Sequence, residues 1–365
     1  MTELMESVEL CNECGACLQV CPTYNATQDD NFSPIARIKA AGRILQGEEI
    51  TPQVVESVYS CLECRLCTEA CPFSIDIANI VWHSRLKLRK RGIESPEPHK
   101  KLVESTQRLG NAVNGDPARR LDWLPEEFPT HESSTLLYVG CASAYVTKDA
   151  AASSYLLLKK LGVDFMILKD EGCCGVIYGD AARDDLLREI AEENVNKFKK
   201  LGIKKIILVC PACYYCFKYL YPQLLGSVDF ELVHIVQLLP SLLKERGIKI
   251  AQMVGEVTYH DPCRLARPDG IFDEPREALR LSGIKVNELP ENREDAPCCG
   301  AGAGVRMVYR DLSLKIASKV LDQVTVSPLV TACPFCEFSF SYIAHKRGSD
   351  KKVVYITEPV LQALS

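Results

Sequence analysis

The sequence has no apolar run long enough to cross a bilayer. Its longest, such as IILV at 206–209, fall far short of the roughly 18–20 residues a span needs. It has no basic excess: 43 Lys and Arg stand against 48 Asp and Glu, a net charge of −5 with both signs interspersed. That argues against nucleic acid or an anionic membrane surface as the main partner, because either favours a basic face. The opening residues, MTELMESVELC, hold no apolar h-region and no signal-peptide cleavage pattern. The glycine run GAGAG at 300–304 does not fit G-x-G-x-x-G and follows the wrong kind of element, so no flavin or nicotinamide fingerprint is present. These absences predict a cytoplasmic chain with no direct membrane span.

What the chain does have is cysteine, 19 in 365 residues. In a reducing compartment, dense cysteine points to metal or redox chemistry rather than to disulfides. Scattered core cysteines would be irregularly spaced, and these are regular. CNECGACLQVCP (Cys11, Cys14, Cys17, Cys21) recurs fifty residues later as CLECRLCTEACP (Cys61, Cys64, Cys67, Cys71). A longer repeat follows. Cys141, Cys173-Cys174-Gly175 and Cys210-x-x-Cys213 recur as Cys263, Cys298-Cys299-Gly300 and Cys333-x-x-Cys336, at offsets of 122, 125 and 123 residues. Three landmarks displaced by nearly one distance indicate a duplicated unit.

The repeats divide the chain into a first cysteine domain over 1–92, a linker over 93–132, and two units over 133–250 and 251–365. The linker is rich in Pro, Gly and charge, with one short helix expected at 99–109 and Trp123 packing it down. From 133 onward, strand-like runs (TLLYVG, DFMIL, KKIILVC, ELVHIV, then EVTYH, KVNEL, SPLVTAC, KVVYIT) alternate with helical stretches such as 180–201 and 313–323. The expected fold is a helical N-terminal domain followed by two tandem α/β units with mostly parallel sheets, four strands in each. Cys141, Cys210, Cys263 and Cys333 then sit at or just past strand ends, where open α/β sheets gather ligands.

C-x-x-C-x-x-C-x-x-x-C-P is the bacterial ferredoxin run, whose fourth cysteine ligates the other cluster. One [4Fe–4S] cubane is therefore assigned to Cys11, Cys14, Cys17 and Cys71, and a second to Cys61, Cys64, Cys67 and Cys21. A four-cysteine zinc site would instead show two CxxC pairs. The later sets hold five thiols each, more than a cubane takes, and a vicinal Cys-Cys pair does not easily serve one zinc ion. They read as five-ligand iron–sulfur sites. A zinc site or a dithiol switch is the alternative. Cys216, whose counterpart is Ser339, reads as a core thiol rather than a ligand.

As a set, Gly140-Cys141, CCG at 173–175, CPAC at 210–213, HDPCRLAR at 260–267, CCGAGAG at 298–304 and CPFC at 333–336 resemble the cysteine-rich CCG domains of the heterodisulfide reductase catalytic subunit. With the ferredoxin run fused in front, the chain resembles the D-type subunit. The iron–sulfur subunits of glycolate, lactate and glycerol-3-phosphate dehydrogenases share that architecture. The resemblance implies two noncubane [4Fe–4S] clusters, on Cys141, Cys173, Cys174, Cys210 and Cys213 and on Cys263, Cys298, Cys299, Cys333 and Cys336. The clusters would face each other across a pseudo-twofold axis, with a small disulfide reduced between Cys173-Cys174 and Cys298-Cys299. It implies partners as well: a flavoprotein, a ferredoxin- or hydrogenase-type donor, or a membrane cytochrome b that would bring the chain to the inner face of the membrane. His260-Asp261 reads either as a proton source or as a turn and cap. Arg264 and Arg267 read either as anchors for an anionic substrate or as solvated surface. His234 and His345 read as structural.

Overall fold

The computed structural model describes residues 2–245 and 255–364. The N-terminal domain is helical. Pro34–Gln46 starts where the Ser33 hydroxyl accepts from the Ala36 N–H at 3.0 Å and ends at Gly47 in the left-handed region. Ile77–Lys90 starts where the Asp76 carboxylate accepts from the Asn79 N–H at 3.1 Å. Ile38, Ala41, Ile44, Val58, Ile80 and Val81 form the small core between these helices and Pro52–Tyr59. A core of that size gains from cross-linking by metal.

The first α/β unit has three parallel strands, β1 (Thr135–Tyr138), β2 (Lys205–Leu208) and β3 (Glu231–His234), in the order β1-β2-β3. The second has four, β4 (Gly255–His260), β5 (Ile284–Glu288), β6 (Leu329–Thr331) and β7 (Val353–Tyr355), in the order β5-β4-β6-β7. β1, β2 and β6 are buried almost throughout, as expected when helices cover both faces of a parallel sheet.

The expected DFMIL strand is not a full strand. It makes one parallel bridge, Leu136 with Met166, beside β1. The chain then turns over the end of β1, where the Glu171 carboxylate accepts from the Val139 and Gly140 N–H groups at 3.0 and 2.9 Å. With that bridge counted, both units follow one strand order. EVTYH forms a strand over its whole length, and KVNEL and the other runs contribute the remaining strands.

The expected linker helix is Glu97–Leu109, and it is no free spacer. Leu102, Val103 and Trp123 join the main hydrophobic core, with Trp123 edge-on to Tyr155 at 5.9 Å.

Candidate metal centres

In the N-terminal domain two cavities divide the eight cysteines. Cys11, Cys14, Cys17 and Cys71 line one; Cys21, Cys61, Cys64 and Cys67 line the other. Each fourth cysteine has crossed to the other motif's cavity. The two loops share a backbone shape that accounts for this. Glu13 and Gly15, and their counterparts Glu63 and Arg65, all take left-handed φ between +51° and +81°. Each loop therefore curls its cysteines around one centre. The outer cavity is the more open, since Cys14 is exposed while Cys61 and Cys64 are buried. Arg37, only 2% exposed, donates to Cys21 Sγ at 3.5 Å, to Thr23 Oγ1 at 2.8 Å and to Ser57 O at 3.1 Å. A buried guanidinium beside sulfur offsets negative charge there. Sequence reading missed it, although an arginine at an otherwise apolar helix position is a visible signal.

Each five-cysteine set forms one chain of side-chain contacts. In the first unit it runs Cys141, Cys173, Cys174, Cys213, Cys210. In the second it runs Cys263, Cys298, Cys299, Cys336, Cys333. The order is the same by position. The surroundings match too. The Gly175 and Gly300 N–H groups donate to Cys173 and Cys298 Sγ at 3.3 and 3.4 Å. Both glycines have φ near +80°, and a Cβ on Gly300 would lie 2.5 Å from the Ser313 carbonyl oxygen. Cys216 Sγ donates to Cys174 O at 3.1 Å, and Ser339 Oγ donates to Cys299 O at 2.8 Å. Cys216 thus stands where the second unit has a hydroxyl, and its side chain also contacts that of Cys174. The Arg120–Glu171 ion pair, buried on both sides, holds the backbone before Cys141, with Arg120 also donating to Gly140 O at 3.3 Å.

Thiol donors around cavities suit iron–sulfur clusters. No group of three or more His, Cys, Asp or Glu placed to hold a metal ion occurs among the described residues.

The N-terminal domain joins the second unit at its cysteines. Cys64 and Cys298 are in side-chain contact. Arg267 donates to Cys64 O at 2.8 Å and to the Glu294 and Ala296 carbonyls. The Leu62 carbonyl lies where a Cβ on Gly302 would be, 2.5 Å away. Arg264 pairs with Glu63 at 3.2 Å and with Asp180 at 2.7 Å, and lies over the Tyr215 ring. Arg85 pairs with Glu63 at 2.6 Å and donates to Asp180 O at 3.2 Å. These charges tie all three parts of the chain together. Arg264 and Arg267 are both half-buried and both engaged by these partners, an internal role that the sequence reading did not foresee.

His260 is 1% exposed and lies off the cavity described next. Its Nε2 meets Pro297 O at 2.9 Å, its Nδ1 faces Thr331 Oγ1 at 3.5 Å, and its ring packs on Phe340. Burial pushes its pKa below the usual imidazole value, despite Cys299 nearby. Both ring nitrogens of His260 thus face protein atoms. Asp261 is no cap; it pairs with Arg276 at 2.7 Å and accepts from the Arg293 N–H at 2.8 Å. His234 is a buried partner of Val209 O at 3.0 Å, and His345 sits exposed in the last turn of Pro334–Lys346.

Between the two α/β units lies a cavity of about 260 Å³. All five cysteines of the second set line it. None of the first set does; their neighbours Ala142, Val176, Ile177, Pro211 and Ala212 form the facing wall. The two sets therefore differ in access, which the sequence-based picture of a site shared equally by both CCG pairs did not anticipate.

Residues 7–75 match the 4Fe-4S dicluster domain, and residues 135–218 and 257–341 each match the cysteine-rich CCG domain. The chain is 33% identical to the D subunit of the dihydromethanophenazine:CoB–CoM heterodisulfide reductase of Methanosarcina mazei, over 99% of this chain and 95% of that one. It is 32% identical to the corresponding protein of Methanosarcina barkeri, over the same shares. It is 35% identical to the EtfAB:quinone oxidoreductase of Syntrophomonas wolfei, over 58% of this chain and 31% of that one. No described helix is long and apolar enough to cross a membrane. An N-terminal dicluster domain, two CCG units in tandem and end-to-end similarity to these reductase proteins give one conclusion: the chain belongs to the family of heterodisulfide reductase D subunits, as an iron–sulfur component of an oxidoreductase complex.

Proposed function

We propose that the protein reduces a small thiol disulfide, of the CoM-S-S-CoB type, at the cavity between its α/β units. The observation that carries this reading is the contact of Cys64 with Cys298 beside a cavity lined by all five cysteines of the second set. In this reading Cys11, Cys14, Cys17 and Cys71 hold an outer [4Fe–4S] cubane, and Cys21, Cys61, Cys64 and Cys67 hold an inner one. Each five-cysteine set holds a noncubane [4Fe–4S] cluster, related by the pseudo-twofold repeat of the units. Bound there, these groups supply electrons one at a time. The chain's own residues do the rest. Arg267 and Gly302 seat the inner loop against the second set. Arg264, Glu63, Arg85 and Asp180 keep that seat rigid. The balance is one disulfide, two electrons and two protons giving two thiols. His260 has no place in it; the protons enter with solvent at the cavity mouth.

The donor is another component of the complex: a flavoprotein, a ferredoxin- or hydrogenase-type protein, or a membrane cytochrome b. The protein works in the cytoplasm, held at the inner face of the membrane where the partner is the cytochrome.

A second reading has support in the similarity to EtfAB:quinone oxidoreductase. There the chain only relays electrons for a flavin-dependent lactate, glycolate or acyl-CoA dehydrogenase. The test is anaerobic mixing of the reduced holoprotein with the CoM–CoB heterodisulfide. The reductase reading expects two free thiols per disulfide and a change in cluster EPR when thiol is added. No thiol release and an unchanged spectrum would leave the relay reading.

A further inference from the structure

Of the 19 cysteines, Cys14 alone is exposed. The outer cavity that it lines is where electrons can pass most directly to another molecule, because transfer falls off steeply with distance. The rim of that cavity is apolar. Among the described residues five large hydrophobic side chains are exposed, and two of them stand here. Leu10, 54% exposed, precedes Cys11; Phe73, 47% exposed, lines the cavity with Cys14 and Glu13. A turn holds Phe73 out. The Cys71 carbonyl accepts from the Ser74 N–H at 2.9 Å, with Pro72 at the turn position that proline favours. By spacing, Thr23 has the same place after Cys21, yet it is buried and donates to Phe32 O at 2.8 Å. One cysteine run turns this side chain inward; the other presents a bare ring to solvent.

The charge beside that rim has one sign. Residues 1–36 carry six carboxylates and no Lys or Arg. Glu9 ends the helix Thr2–Glu9, two residues before Cys11. Glu13 lies within the first cysteine loop, and Glu69 stands two residues before Cys71. All three are exposed. Lys39 pairs with Glu13 at 2.7 Å, but both side chains are more than half exposed, so solvent screens the pair and the face stays acidic. An apolar centre with a charged rim is the plan of a protein interface, and a rim of one sign steers a partner of the other. Electron-transfer encounters work with small contacts of this kind.

We propose that Leu10 and Phe73, flanked by Glu9, Glu13 and Glu69, form the landing surface for a one-electron carrier protein with a basic face. This rests on the outer cubane of the reading above, and adds which side chains receive the donor and which charge the donor carries. At each encounter the carrier loses one electron and the outer centre gains one; no bond breaks and no proton moves. Leu10 and Phe73 shed water on contact, and the three carboxylates align the carrier's lysines or arginines. An acidic carrier would meet like charges, which opposes docking.

The test is calorimetric titration of the oxidised, iron-loaded, full-length protein with two probes. These are ferricytochrome c, a basic carrier, and its succinylated, acidic form. Both partners are oxidised, so the heat reads binding alone. At low salt the basic form should bind tighter than the acidic one by about tenfold or more, and the preference should fade as salt rises. Glu9→Lys combined with Glu69→Lys should weaken the basic form by about tenfold. Glu189→Lys combined with Glu192→Lys makes the same charge change on exposed residues of the first α/β unit, and should shift binding by less than about twofold. Phe73→Ser, and independently Leu10→Ser, should weaken binding at unchanged iron content. Each should also slow electron transfer to ferricytochrome c from protein that has been reduced and freed of reductant. Equal losses in the two charge variants, full binding by both serine variants, or no binding of ferricytochrome c overturns the landing surface and leaves the cubane reading intact. Cys14→Ser with unchanged iron content and an unchanged EPR spectrum overturns the outer cubane, and this inference with it.

Discussion

At the residue scale, spacing named the cysteines but left their neighbours open. C-x-x-C-x-x-C-x-x-x-C-P carries its meaning in the chain, so the crossing of Cys21 and Cys71 between cavities was legible. The roles of His260, Arg264 and Arg267 were not. Each sits beside Cys263 in the sequence, yet what decides its role lies far along the chain, at Pro297, Glu63 and Cys64. Cys216 gives a sharp test. Since Ser339 fills its place in the second unit, Cys216→Ser should keep the full iron content, whereas Cys213→Ser should lose iron and the visible absorbance of one cluster. Equal loss in both variants would make Cys216 a ligand. Gly300→Ala meets a backbone oxygen at 2.5 Å and a left-handed φ, so it should destabilise the protein by about 2 kcal/mol or more, read from a denaturant midpoint.

At the scale of elements, hydrophobic runs predicted strands well where both faces are buried. They failed at DFMIL because a local tertiary contact, Glu171 on the Val139 and Gly140 N–H groups, takes the chain away after one bridge. The Arg120–Glu171 pair is buried, so Glu171→Gln leaves an uncompensated guanidinium and should cost about 3 kcal/mol, with loss of the first set's iron. The helix Thr357–Ala363 carries a pH-dependent term. Burial raises the Glu358 carboxyl from 4.5 to about 7, against a hydrogen bond from the Tyr355 N–H. A carboxyl with a raised pKa holds its proton more tightly folded than unfolded. Its contribution is therefore full below pH 4.5 and is lost as pH rises through 7. Glu358→Gln should flatten the stability profile between those values; an unchanged slope would remove the carboxyl from the account.

At the scale of the whole molecule, the duplication was readable from three offsets, and the two sheets repeat one strand order. The docking of the parts was not readable. It depends on Arg85, Glu63, Asp180 and Arg264 meeting across three segments, none of which carries a motif for the others. That junction brings Cys64 of the N-terminal domain against Cys298 of the second unit. Arg264→Met leaves Glu63 and Asp180 nearly buried and one cation short. It should slow reduction of the CCG sites by an external reductant while leaving reduction of the cubanes unchanged in stopped-flow absorbance.

The central claim is that all 18 cysteines outside Cys216 serve iron–sulfur clusters, eight in the N-terminal domain and ten in the CCG units. The most direct measurement is the iron, sulfide and zinc content of anaerobically purified protein. Four [4Fe–4S] clusters predict about sixteen iron and about sixteen sulfide per chain with negligible zinc. A content of about eight iron, with zinc making up the difference, would contradict the claim and return the CCG units to a structural role.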